Sequence, residues 1–302
     1  MQAQYKCGID LGGTKIEGIA LDPQQENKIL FRERIPTLSD KGYSTVLDQI
    51  KSMVELLEQN LGNKVVNLGL GTPGRLDPES QLIKNSNSVC LNDKPMLKDL
   101  QELLNIPVKI ENDANCFAVS EAAHLRSTVA PNAEIIFGII MGTGVGGGLV
   151  VNGKVVTGMH GIAGEWGHNF LDESGGKCYC GKIGCVETIL SGPALERYYI
   201  SLTGNKTPLK EIVKSAEDKT DSAAIKTIDR LHLFFGKATS QMINVLDPAY
   251  VVIGGGVGNI DSLYTKGASE VEKLVFNDYM KTKFVKPKFG DSSGVIGAAL
   301  LF

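Results

Sequence analysis

Two glycine-rich segments, each bracketed by β-prone residues, restrict this chain more than anything else in it. The first, Gly8-Ile-Asp-Leu-Gly-Gly-Thr-Lys15, runs on into Ile16, Gly18, Ile19, Ala20 and Leu21. The second, MGTGVGGG at 141–148, runs on into Leu149, Val150 and Val151. Both read as strand–turn–strand. The second continues into Asn152-Gly153, a strong signal for a tight hairpin. A strand-rich opening that occurs twice implies two lobes of similar build. The stretch 142–147 matches G-x-G-x-x-G formally, but the dinucleotide fingerprint needs a helix after the glycines and here a strand follows. That reading is rejected. The Walker A spacing is absent, which argues against a P-loop enzyme.

Helical patterns fill the intervals. Leu47, Ile50, Val54, Leu57 and Leu61 form one apolar stripe that stops at Gly62. Ala224, Ile228, Leu231, Phe235, Ala238, Met242 and Val245 form a longer one that stops at Asp247-Pro248. A buried-type strand at 250–253 follows and ends in Gly254-Gly255-Gly256. The apolar closing segment 294–302 reads as a short helix. No low-complexity linker is visible, so the lobes are expected to join directly.

The turn Asp10-Leu-Gly12-Gly13-Thr14-Lys15 offers backbone N–H groups where no Cβ blocks close approach, which suits phosphate oxygens. Thr14 adds a hydroxyl and Lys15 a charge. Asp10 at the strand end could hold Mg²⁺ through water, since that ion keeps several waters and takes few carboxylates. An ordinary glycine hairpin would read the same. Two such loops together with the glycine run at 254–256 suggest a nucleotide held between lobes.

Composition closes off other classes. With 302 residues there is ample length for a large core or two domains. A net charge of −3 gives no support for a nucleic-acid or membrane partner. The start, MQAQYKCGIDLGGTK, has no apolar leader region and reads as a mature cytoplasmic chain. The longest apolar stretch, 135–141, is too short to cross a bilayer. Of the 6 cysteines, Cys7, Cys90 and Cys116 lie scattered in apolar surroundings and read as small core residues.

Cys178, Cys180 and Cys185 crowd together, with His168 shortly before them. One imidazole and three thiolates make a closed tetrahedral zinc set, a structural site rather than one with a metal-bound water. Gly181 and Gly184 supply the turns of the C-x-C-G-x-x-G-C run. A disulfide does not suit a cytoplasmic chain. Glu165 and Glu187 flank this cluster, and ordering the loop would fix two carboxylates able to grip sugar hydroxyls. Glu111-Asn112-Asp113-Ala114-Asn115 follows a strand-like run and precedes a helical one. Asp113 then serves either as the helix N-cap or as a general base that accepts a hydroxyl proton. Asn112 beside it could hydrogen-bond a second hydroxyl.

These segments together resemble the ROK family (repressor, open reading frame, kinase) of the actin-like ATPase superfamily. The resemblance rests on DLGGTK at 10–15, GTPGRLD at 71–77, NDAN at 112–115, GTGVGGG at 142–148, GEWGH at 164–168, CYCGKIGCVE at 178–187 and VVIGGG at 251–256. It covers essentially the whole chain. It implies an α/β fold of the actin-like ATPase (ribonuclease H-like) type, duplicated and two-lobed, with a central nucleotide and sugar cleft. The expected division is a small lobe of 1–113 plus 291–302 and a large lobe of 114–290 carrying the zinc loop.

The resemblance also implies roles. Asp113 is the catalytic base. Asp10, Gly12, Gly13, Thr14, Lys15, Gly142, Thr143, Gly144, Gly146, Gly147, Gly255 and Gly256 bind ATP. Gly74, Asn112, Asp113, Glu165, His168 and Glu187 contact sugar. His168 shares its role with zinc, beside Cys178, Cys180 and Cys185, which requires its two ring nitrogens to serve separately. Magnesium accompanies ATP, and the family is commonly dimeric.

Within the family, KNSNS at 84–88, AGEWGHN at 163–169 and GDSSG at 290–294 look most like bacterial fructokinases and mannokinases. The first expectation is therefore fructose phosphorylated to fructose 6-phosphate. N-acetylglucosamine kinase is the alternative, supported by NCFA at 115–118. A sugar-responsive repressor is disfavoured, because the phosphate loop begins at Gly8 and leaves no room before it for a DNA-binding segment. A binding-only protein is disfavoured by the intact Asp113 and glycine loops. Trp166, the only tryptophan, reads as core packing.

Overall fold

The computed structural model describes residues 5–302. The first four residues, part of the start that the sequence analysis reads, lie outside the described residues. Along the chain come β1 (Lys6–Leu11), β2 (Lys15–Asp22), β3 (Lys28–Pro36), α1 (Tyr43–Leu61), β4 (Leu68–Thr72), β5 (Arg75–Leu76) and β6 (Ile83–Lys84). These are followed by α2 (Met96–Leu104), β7 (Val108–Asn112), α3 (Asp113–Thr128), β8 (Ile135–Met141), β9 (Val145–Val151) and β10 (Lys154–Val155). Next are α4 (Glu187–Leu190), α5 (Gly192–Thr203), α6 (Leu209–Glu217), α7 (Ser222–Leu246), β11 (Tyr250–Gly254) and α8 (Gly255–Gly258). The chain closes with α9 (Lys266–Glu272), β12 (Lys283–Val285) and α10 (Ser293–Ala299). No helix among the described residues is long and apolar enough to cross a membrane.

Two compact units result: residues 1–131, 153–163 and 288–302 make one, and residues 132–152 and 164–287 the other. Their sheets repeat one plan. In the first, β1 and β2 pair antiparallel, β4 adds parallel to β1, and β7 adds parallel to β4. In the second, β8 and β9 pair antiparallel, β11 adds parallel to β8, and β12 adds parallel to β11. The order β2-β1-β4-β7 thus recurs as β9-β8-β11-β12. Each glycine segment is the turn of its opening hairpin, as the sequence predicts. Asn152 and Gly153 both have positive φ, the backbone that a tight primed turn requires.

In the first unit α1 buries Val46, Ile50, Met53, Val54 and Leu57 against that sheet's core and ends at Gly62 in the left-handed region. The helix at 113–128 belongs to this unit too. In the second, α7 buries Ala224, Ile228, Leu231, Phe235 and Ala238. Its predicted stripe fails at one position: Val245, in the last turn, is 80% exposed. Asp247 ends the helix with φ 45°.

The last helix completes the first unit. A Cβ on Gly8 would lie 2.3 Å from the Ala299 nitrogen, and one on Gly69 would lie 1.8 Å from the Ala298 carbonyl oxygen. A Cβ on Gly297 would lie 1.7 Å from the Cys116 carbonyl oxygen in α3. Backbone meets backbone here, so β1, β4 and α3 accept α10 only because these positions lack side chains. Gly297→Ala should therefore destabilise the protein by about 2 kcal/mol or more, since overpacking outweighs the roughly 1 kcal/mol that alanine gains in a helix. A lower urea midpoint at unchanged m-value is the expected readout.

Candidate functional site

In the first unit the β1–β2 turn is braced from behind. The Gly12 N–H donates to the Lys15 carbonyl at 3.0 Å. The Thr37 hydroxyl donates to the Gly12 carbonyl at 2.7 Å and the Ser39 hydroxyl to the Gly13 carbonyl at 2.9 Å. Gly13, Thr14 and Lys15 remain exposed at the tip. Gly13 and Thr14 border an open depression of about 380 Å³ that Ser39, Asp40 and Ser88 also line. Thr37 and Ser39 carry no motif, and the sequence reading did not find them.

Asp10 sits under this turn. Its carboxylate faces Gly71 and Gly294, where any Cβ would come within 3.4 Å and 3.0 Å of it. Burial, then the charges of Asp113 and Glu17, push its pKa up to about 7, with Arg34 opposing. A magnesium ion next to this carboxylate would reverse that trend, so the residue suits such an ion. Without one, Asp10 resists ionisation.

At the β7–α3 junction the cap falls one residue before Asp113. The N-cap is Asn112, whose Oδ1 accepts the Asn115 N–H at 2.7 Å. Asp113 is the first helical residue and is exposed, with its Oδ1 accepting the Ala114 N–H at 2.7 Å. Capping uses the Asn112 oxygen, so this side chain has its NH₂ group to offer a ligand. Glu111, which sequence reasoning passed over, accepts the Asn115 amide at 2.9 Å and the Thr157 hydroxyl at 2.7 Å. It ties the start of α3 to the segment 153–163 of the same unit. Gly74 is buried, and a Cβ there would meet the Lys84 carbonyl at 2.7 Å and the Ser86 side chain at 2.9 Å.

In the second unit, the β8–β9 turn and the glycines after β11 meet. A Cβ on Gly255, whose φ is +81°, would lie 2.3 Å from the Met141 carbonyl oxygen and 3.0 Å from the Gly142 nitrogen. Thr143, Gly255 and Gly256 are exposed. The Gly142 N–H donates to the Gly144 carbonyl at 2.9 Å, and the Gly142 carbonyl accepts the Gly192 N–H at 2.8 Å. Two side chains also hold this turn. Glu187 Oε2 accepts the Val145 N–H at 2.9 Å, and Trp166 Nε1 donates to the Gly146 carbonyl at 2.9 Å. Gly144 is the residue that makes room, because its Cβ would lie 2.6 Å from that carboxylate oxygen.

The cysteine cluster lies on the same unit. His168, Cys178, Cys180 and Cys185 present ligand atoms that all lie within 4.8 Å of one another. Cys178 Sγ is 3.6 Å from His168 Nδ1, and Cys180 Sγ is 3.6 Å from Cys185 Sγ. Neighbouring corners of a tetrahedron with Zn–S bonds of about 2.3 Å lie about 3.7 Å apart, so the set fits zinc. A disulfide needs about 2.05 Å, and all six cysteines are free. Gly181 and Gly184 have φ of +88° and +74°. The loop therefore needs them, as the sequence implies. The other ring nitrogen, Nε2, lies 3.0 Å from the exposed Tyr179 hydroxyl. Glu165 and Glu187 lie close enough to Tyr179 that, after burial, their charges help push its phenol up to about 12. Trp166 is 2% exposed and packs edge-on against Phe137, so core packing is correct but incomplete.

These features can be set beside known proteins. The family model described as "ROK family" matches residues 6–302. The N-acetyl-D-glucosamine kinase of Histophilus somni is 37% identical over 98% of this chain and 98% of its own. A ROK hexokinase from Thermus thermophilus superimposes with a TM-score of 0.86 at 30% identity, covering 98% of this chain and 97% of that one. A ROK glucokinase from Streptomyces griseus, solved with glucose and AMPPNP, gives a TM-score of 0.76 at 25% identity over 98% of each chain. The chain belongs to the ROK family, and its fold is the actin-like ATPase fold.

Asp10→Asn removes an ionisation that burial opposes. A carboxyl raised in the folded state favours folding while protonated and loses that contribution as pH rises through its folded value. In the presence of a chelator, the variant should match the wild type near pH 3.8 and gain stability progressively up to about pH 7. The difference should then hold constant above it, as read by urea unfolding across pH.

Proposed function

We propose that this protein, an ATP-dependent sugar kinase of the ROK family, transfers the γ-phosphoryl group of ATP to a hydroxyl of N-acetyl-D-glucosamine. The observation that carries the acceptor is the end-to-end likeness to an enzyme of that name. Fructose, which the segments at 84–88, 163–169 and 290–294 put first, yields to the alternative on this ground.

The chemistry follows from the residues. The glycine segments at 12–15 and 142–147, exposed at 13–15 in the first unit and at Thr143 in the second, and Gly255 and Gly256, serve the phosphates through backbone N–H groups. Lys15 and Thr14 add a charge and a hydroxyl at the first turn. Asp10 would hold magnesium through water, and the ion would supply positive charge at the phosphate oxygens. Asp113 accepts the proton of the sugar hydroxyl while that oxygen bonds to the γ-phosphorus and the bond to the β–γ bridging oxygen breaks, releasing ADP. The Ala114 N–H bond orients its carboxylate for this task. Asn112 of the first unit, where the turn at Gly74 also serves the sugar, and Glu165, His168 and Glu187 of the second are the residues that hold sugar hydroxyls. His168, Cys178, Cys180 and Cys185 would hold a structural zinc, which would keep the segment between Glu165 and Glu187 folded.

A coupled ADP-release assay across N-acetylglucosamine, N-acetylmannosamine, glucose, mannose and fructose tests the acceptor. N-acetylglucosamine should give the highest kcat/KM. Preference for fructose would restore the motif-based reading, and no stimulation by any hexose would end the kinase assignment. Asp113→Asn should lower kcat by about 10²-fold or more, as removing a general base does, while sugar still binds in calorimetry. Near-normal turnover would remove Asp113 from the role of base.

A further inference from the structure

The cysteine cluster and the 142–147 turn are joined at two points, and both lie two residues from a ligand. Trp166 and His168 share a single turn of 3₁₀ helix, closed by the Asn169 N–H donating to the Trp166 carbonyl at 3.0 Å. Glu187 opens α4 immediately after Cys185 and Val186, and the Cys185 carbonyl accepts both the N–H and the hydroxyl of Thr188, at 3.0 Å and 2.7 Å. From these two short turns reach the indole N–H on the Gly146 carbonyl and the carboxylate on the Val145 N–H. The approach is close throughout. A Cβ on Gly167 would lie 1.9 Å from the Val145 carbonyl oxygen, and one on Gly147 would lie 2.8 Å from the Trp166 ring.

The geometry points to a second task for this centre: through Trp166 and Glu187 it sets the conformation of the 142–147 turn, and so governs nucleotide binding as well as sugar binding. The inference rests on the proposed reading of that turn as a phosphate loop. A glycine-rich turn has many backbone states available, and fixing the backbone of each residue that orders on binding costs about 1–2 kcal/mol. Holding the turn in one state before the nucleotide arrives removes that cost from binding. Val145 is buried and opens β9 directly after the 142–144 turn, so its N–H fixes where that turn ends. Its partner is an oxygen on Glu187, the same side chain that is assigned to sugar. The two substrates therefore share one positioning residue, and a metal that fixes the ends of the segment fixes them both.

Trp166 supplies a direct readout, because it is the only tryptophan in the chain. The full-length protein is first shown by metal analysis to hold one zinc per chain, then stripped with a chelator. Both forms are titrated with a non-hydrolysable ATP analogue and magnesium, without sugar, by calorimetry and by tryptophan emission. Stripping should red-shift the emission and weaken analogue binding by about tenfold or more, on the scale of disturbing groups around a metal ligand. Glu187→Ala, measured with zinc bound, should weaken it similarly. Glu187→Gln, which keeps an oxygen acceptor for the Val145 N–H, should restore analogue binding to near wild type while sugar binding stays impaired. If the stripped chain unfolds by circular dichroism, the two zinc-loaded Glu187 variants decide alone. Analogue binding unchanged in Glu187→Ala overturns the inference. A zinc-loaded wild type that ignores the analogue overturns the kinase reading itself, and the inference with it.

Discussion

Much of what this protein can do depends on one turn of glycines having side-chain partners. The stretch 142–147, a turn at 142–144 that runs into β9 at Val145, draws few packing atoms from its own side chains, since glycine has none to give. Here a carboxylate takes one of its N–H groups and an indole takes one of its carbonyls. Both partners are themselves anchored, Trp166 by burial in the core and Glu187 by the turn that follows Cys185. The four-ligand cluster stands behind both. A metal there would act less as a local staple than as the fixed end of two levers.

In the first unit hydroxyl groups do the corresponding work. Its turn at 12–15 is braced by the hydroxyls of Thr37 and Ser39 on two carbonyls. The sheet beneath is closed by α10, whose backbone touches β1, β4 and α3 through three glycines. That close packing places Gly294 against Asp10 and leaves the carboxylate little water. A buried carboxylate with a raised pKa is a cost in stability, retained where a cation is to be held.

Several features were legible in the sequence. Hairpins at both glycine segments follow from flanking β-prone residues, and the rejection of a dinucleotide fingerprint follows from the strand after Gly148. The cluster at 168–185 was legible from residue type and spacing alone. Other features were not. Thr37, Ser39 and Glu111 are ordinary polar residues whose partners lie far along the chain, so local pattern carries no trace of them. Val245 continues a helical stripe yet faces solvent, because periodicity describes a helix face and not how far the neighbouring layer extends. That Asn112 rather than Asp113 caps α3 needed the hydrogen bond at Asn112, which spacing alone could not provide.

By itself the sequence determined the duplicated hairpin plan, the family, and the residue types able to carry phosphoryl transfer and bind zinc. Those are encoded in local signals: glycine where a turn must open, alternating apolar runs, and a rare density of soft ligands. The tertiary structure alone decided which residue caps α3, that Trp166 and Glu187 hold the backbone of Gly146 and Val145, and that Asp10 is half-buried against Gly71 and Gly294. The reason is physical. Hydrogen bonds and desolvation between distant segments depend on where the backbone brings them, and that is a property of the packed chain.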